Sequence, residues 1–178
     1  MKRLMMDFSQ RPGDHECFDY HRDYVGKVPD GNILDTLKKQ LETVPEFIAN
    51  LPADQLEIVH PPFGWKIRTV VEHCCDAERV FGYRALRFAA GDKTELSGWD
   101  ENHFAACGYG DAKGSEQLAG EFASSRSSNL ALLCRLRVSA YDEIGVADGR
   151  KTSVRTIAWL MAGHWLHHEE ILRKRLGS

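Results

Sequence analysis

The segment AGHWLHHEE, residues 162–170, sets three histidines within five positions: His164, His167 and His168. Neutral imidazole is the commonest protein ligand of borderline divalent metals, so metal chemistry is the first reading to test. On an α-helix, residues four apart are offset by about 40° and residues three apart by about 60° in the other sense, while neighbours diverge by about 100°. His164 therefore shares a face with His168 or with His167, and one ion does not take all three. The stripe Ile157, Met161, His164, His168, Leu172 reads as a core-facing seam, yet Leu160, His164, His167, Ile171 is nearly as apolar. Periodicity alone leaves the pair open. The HxxxH spacing is the usual way one helix brings two imidazoles to one ion, and it favours His164 with His168.

Two imidazoles leave a borderline ion short of ligands. The candidate third is His73 in VVEHCCDAER, which follows Val70 and precedes Ala77 and Val80 on a face that reads as buried. The two helices also begin alike, IRTVVEH against VRTIAWLMAGH, with the first histidine six residues after Ile67 and ten after Val154. That difference is about one helical turn, so both histidines keep nearly the same facing. Cys74 and Cys75 diverge from His73 by about 100° and 200°, and Cys74 reads as a small buried hydrophobe. Asp76 either accepts a hydrogen bond from the free ring nitrogen of His73 or faces solvent. Glu169 and Glu170 do not supply the repeated Glu and ExxH set of a two-metal carboxylate centre. His167 is expected outside the ligand set, and His15, His21, His60 and His103 fall in the arm or in loops.

Residues 1–30 lack a sustained period and read as an irregular arm or a short helix laid across the body. Ile33, Leu34, Leu37, Leu41, Val44 and Ile48 form an apolar helical stripe that Pro45 is expected to kink or interrupt. A turn-rich connector, ADQLEIVHPPFGW, leads to a second helix from about Lys66 to Gly91. The glycine-rich crossing GDKTELSGWDENHFAACGYGDAKG follows, and loops that long are often functional. Ser115 is a plausible cap for a third helix carrying Leu118, Phe122, Asn129, Leu133 and Leu136 on one side, although SSRSSN forms helix weakly. VADGRKT turns the chain, and Ser153 or Thr152 caps a last helix through Leu176. No alternating apolar run predicts a strand. The pattern predicts a single all-α domain over residues 1–178, an up-down four-helix bundle with a long crossing loop between helices 2 and 3.

The bulk properties remove several function classes. With 178 residues the chain can bury a real core without disulfide or metal. A net charge of -3 with interspersed signs offers no nucleic-acid stripe, and RKRL near the C-terminus suits a helix end. MKRLMMDFSQ turns polar at once, so no secretory leader is expected, and no apolar stretch reaches membrane-spanning length. Five cysteines without a CxxC argue against a disulfide framework or a thiolate zinc knuckle and point to a reducing, cytoplasmic setting.

Taken in order, DYHRDYVGKVPDGNIL, PFGWKIRTVVEHCCDAERVFGYRALRFAAGD, LSGWDENHF and SVRTIAWLMAGHWLHHEEIL make the chain resemble the DinB-like (DfsB- or YfiT-like) superfamily of four-helix-bundle metalloproteins over nearly its whole length. The resemblance implies a metal triad of one histidine early in the second helix and an HxxxH pair in the last, which falls on His73, His164 and His168. It implies one divalent ion, nickel or zinc, with positions left open for water. It also implies a metal-dependent hydrolase or a transferase of a low-molecular-weight thiol of the bacillithiol or mycothiol type; the alternative is a non-catalytic metal-binding stress-response protein. A small-molecule substrate and a homodimer are expected, with no nucleic acid and no membrane as partners. The crossing around Trp99, Asp100, Glu101, Asn102 and His103 is expected to form one pocket wall. No catalytic base is assigned; Asp76 and Asp100 both lie in suitable regions.

Overall fold

The computed structural model describes residues 8–110 and 114–177; the first seven residues, on which most of MKRLMMDFSQ and the reading of it fall, and three positions of the long crossing lie outside it. Helix α1 spans Asp19–Lys27, α2 Ile33–Ala49, α3 Ile67–Ala89, α4 Glu101–Cys107, α5 Ser115–Arg135 and α6 Val154–Leu176. The long helices α2, α3, α5 and α6 form the expected four-helix bundle. Each of α2 and α3 packs against both α5 and α6, and α1 lies along α6.

Local chemistry explains the ends. The Asn32 side chain accepts from the Leu34 amide at 2.9 Å to start α2, and Ser153 Oγ accepts from the Thr156 amide at 3.0 Å to start α6. Gly177, with φ 74°, closes α6 in the left-handed conformation that glycine adopts cheaply. Ser115 is already helical rather than the cap; its hydroxyl donates to the Ala49 carbonyl at 3.0 Å and ties α5 to the end of α2. Helix α2 runs through Pro45 without a break, since packing of Val44 and Ile48 into the core outweighs one missing backbone hydrogen bond.

Two departures from the sequence reading bear on the site. The turn after α5 is a hairpin, β1 (Ile144–Ala147) antiparallel to β2 (Arg150–Ser153), with Asp148 and Gly149 at φ 55° and 69°. Asp-Gly with both residues at positive φ is the signature of a tight hairpin, and four-residue strands are too short to show alternation. The long crossing is likewise not all loop: it contains α4, and before it the Leu96 amide donates to Val146 and its carbonyl accepts from Asp148. The hairpin thereby pins residues 96–99 over α3.

The most buried charged group among the described residues is Arg126 on α5, with no solvent exposure. Its guanidinium donates to both Glu78 carboxylate oxygens at 2.9 and 2.7 Å, to Gln40 Oε1 at 2.7 Å and to the Met161 carbonyl at 3.0 Å. Asn129 also donates to Glu78, and Gln40 to the Ala162 carbonyl. All four bundle helices meet at this one cation. Truncating one member leaves buried charge unpaired, so Arg126→Ala is expected to cost about 3–5 kcal/mol. Urea unfolding of chelator-treated protein measures it; a loss under about 1 kcal/mol would mean that the network carries little of the fold.

Candidate metal centre

Helix α3 brings His73 and helix α6 brings His164 and His168 to one point. His73 Nε2 lies 2.9 Å from His164 Nε2, which lies 3.1 Å from His168 Nε2. All three ligand atoms fall within 4.8 Å of one another, and no cysteine or carboxylate among the described residues joins the group. The choice left open by periodicity is resolved by burial: His168 sits in the seam with Ile157, Met161 and Leu172, while His167 is half-buried and turns its ring edge towards Tyr24.

The electrostatics suit a cation. Burial, with a smaller contribution from His167, pushes His73 down to about 4. Burial and the neighbouring imidazoles hold His164 and His168 well below the ordinary histidine range. All three rings are therefore neutral at pH 7. Each neutral ring carries one proton, and the buried Nδ1 atoms of His73 and His168 have no hydrogen-bond partner. With those protons on Nδ1, three Nε2 lone pairs converge on one spot. Three neutral nitrogen donors without a fourth protein ligand fit a borderline divalent ion such as zinc or nickel. Cys74 and Cys75 do not compete, because burial raises both thiols far above the range in which a thiolate forms.

Aromatic rings frame the cluster. Trp99 stacks on His73 with ring centres 5.4 Å apart and planes within 4°, and Trp65 lies against the same imidazole at 5.1 Å. Tyr24 and Phe81 present edges to His164. Helix α1 reaches the site because position 163 is glycine: a Cβ there would meet the Tyr24 carbonyl oxygen at 2.0 Å. From His73 and His164 a cavity of about 440 Å³ opens between α1, α3 and the 98–101 segment, with Tyr20, Tyr24, Phe81 and Leu160 among its walls.

Trp99 and Glu101 line this cavity, whereas His103 is exposed and turned to Cys107. Asp100 is occupied as the cap of α4, accepting from the amides of Asn102 and His103. Asp76 accepts from the Tyr109 hydroxyl at 2.5 Å rather than from His73. Neither is free to act as a base. Sequence reading missed His21, Tyr24, Phe81 and Arg84 as cavity residues. The facing of Arg84 on α3 follows from its place eleven residues, about three turns, after His73, a periodic signal that was legible.

A model of the DinB superfamily matches residues 36–172, which include all three histidines, and the chain belongs to that superfamily. Among solved structures, the fold is similar to YfiT from Bacillus subtilis, described as a probable metal-dependent hydrolase with an unusual four-helix bundle topology. That likeness has a TM-score of 0.69 at 15% identity over 95% of this chain and 94% of the other, and it establishes shared fold. A search of curated proteins finds no match.

Two outcomes follow for the metal-stripped and substituted protein. His164→Ala is expected to abolish metal retention measured by elemental analysis while leaving a cooperative unfolding transition; full metal occupancy in the variant would remove His164 from the ligand set. In the stripped wild type, His73 and His21 titrate near 4 when folded, against 6.5 ordinarily, both chiefly through burial. The unfolded chain then binds more protons between about 4 and 6.5, so stability is complete above that window and falls as pH drops through it. Urea midpoints across pH 4–7 measure the slope, and a His21→Gln, His73→Gln double variant should reduce it, leaving the part carried by the buried His164 and His168.

Proposed function

We propose that this member of the DinB superfamily is a metal-dependent enzyme that hydrolyses a small molecule, with nickel or zinc held by His73, His164 and His168. The observation that carries the reading is the convergence of three neutral Nε2 atoms, with no fourth ligand among the described residues, on the wall of an open cavity. A structural ion would be closed off by four protein ligands; three ligands beside a cavity leave room for reactants. The description of YfiT as a probable metal-dependent hydrolase supports the same class. When bound, the ion supplies Lewis acidity: it polarises a substrate carbonyl or phosphoryl oxygen and makes a coordinated water acidic near neutral pH.

The remaining work falls to the chain's own residues. Of the two carboxylates lining the cavity, Asp148 pairs with Arg150 at 3.8 Å, while Glu101 makes no hydrogen bond or ion pair with any described residue. Glu101 is thus the group available to take a proton from an attacking water and return it to the leaving group. Tyr24 stays protonated, because burial and the hydrogen bond to Tyr20 raise its hydroxyl above the ordinary tyrosine value. With Tyr20 donating in that bond, the Tyr24 O–H is left to donate to substrate oxygen. Trp99 and Phe81 hold the rings of His73 and His164 in place and keep bulk water from two sides.

The same cavity could admit a small thiol in place of water, which would make the protein a thiol transferase. A metal-loaded panel of esters and amides, run with and without glutathione, bacillithiol and mycothiol, separates the two; turnover that requires a thiol would replace hydrolysis with transfer. On whichever substrate the panel identifies, Glu101→Gln is expected to lower kcat by about 10²–10⁴-fold with metal content unchanged. Unaltered kcat in that variant would exclude Glu101 as the base.

A further inference from the structure

The cavity contains a charge that the hydrolytic reading leaves unused. Arg84 on α3 lines it together with His21 and Arg150, and makes no hydrogen bond or ion pair with any described residue. Most other arginines here are committed: Arg126 to Glu78, Arg155 to Glu16 and Asp142, Arg79 to Glu121. The Arg84 side chain is half-buried, and burial followed by the fields of Asp148 and Arg150 are what its charge feels. His21 in turn feels both Arg150 and Arg84. Arg84 lines the metal cavity and also borders the depression on its outer side.

Two cations thus share one counter-ion. Asp148 is anchored by its position in the hairpin turn and pairs weakly with Arg150, and Gly98 packs against it so closely that a Cβ would meet Oδ1 at 2.5 Å. Glu101, on the same cavity, is beyond ion-pair reach of Arg84. An arginine cannot shed its proton to escape such a site, so the desolvation cost persists until an anion arrives. The guanidinium fork matches the two oxygens of a carboxylate, and the nearby Tyr20, Tyr24, Phe81 and Leu160 offer apolar surface.

We propose that Arg84, supported by Arg150, is a carboxylate-binding subsite in the metal cavity, and that the substrate is a small organic acid with an apolar body. This deepens the proposed hydrolytic function and rests on it for the word substrate, though not for the binding itself.

Calorimetric titration of benzoate, with neutral benzamide as control, tests the subsite in metal-free and metal-loaded protein. Benzoate should bind the wild type in both states and benzamide should not. Arg84→Gln should weaken benzoate binding by about 10- to 100-fold in both states, with Arg84→Lys falling between. Arg84→Lys also serves as the test if the glutamine variant does not fold. Wild-type-like benzoate affinity in both variants, or no binding by the wild type at millimolar concentration, overturns the proposal. Binding that vanishes on metal removal and ignores Arg84 assigns the anion to the metal, which overturns the subsite and leaves the hydrolase reading standing. Arg84-dependent binding in a protein that retains no metal upholds the subsite and overturns the hydrolase reading.

Discussion

The buried ion pair between Arg126 and Glu78 is the interaction on which the site depends. Glu78 lies five residues beyond His73 on α3, and the Met161 carbonyl that also receives Arg126 lies three residues before His164 on α6. The bond that fixes one helix against the other therefore sits about one turn from where their histidines must meet. A hydrophobic seam alone tolerates sliding, because apolar contact is not directional. A guanidinium with four partners in fixed directions does not. The network costs desolvation, and its contribution is axial register as much as stability.

Register matters because the metal centre has little else to position it. His73 and His168 receive no carboxylate or carbonyl at Nδ1, the kind of support by which many metal-binding histidines are oriented. Here orientation comes from packing: Trp99 and Trp65 clasp His73, while Tyr24 and Phe81 confine His164. Without a carboxylate to share its charge, a dication held there would retain more of its Lewis acidity. The same economy explains the small elements around the bundle. The hairpin carries Asp148 and Arg150 and holds the strand-like segment that delivers Trp99, and α1 lies close over Gly163 to complete the cavity.

Much of this was legible in the chain. Period alone placed the four long helices and narrowed the histidines to two pairs, and family resemblance selected His73, His164 and His168. Burial of Leu172 against half-exposure of Ile171 then separated His168 from His167 in the structure. What stayed hidden has physical causes. Arg126 sits in SSRSSN, a weak helix former, and a buried arginine looks in sequence like any surface cation until its partner on another helix is known. The hairpin strands were too short to alternate, though Asp148-Gly149 was a readable turn signal. Asp76 was drawn into another hydrogen bond by Tyr109, a contact that only three-dimensional proximity reveals, whereas the Asp100 cap of α4 is local, to amides two and three residues on.

The central claim is that three imidazoles and no other protein group hold the ion. X-ray absorption at the metal edge of the loaded wild-type protein tests it most directly. The structure predicts a first shell of nitrogen and oxygen at about 2.0–2.2 Å, with an outer-shell pattern for three histidines and the remaining positions filled by light atoms from solvent. A sulfur scatterer at about 2.3 Å, or a histidine count other than three, would contradict it.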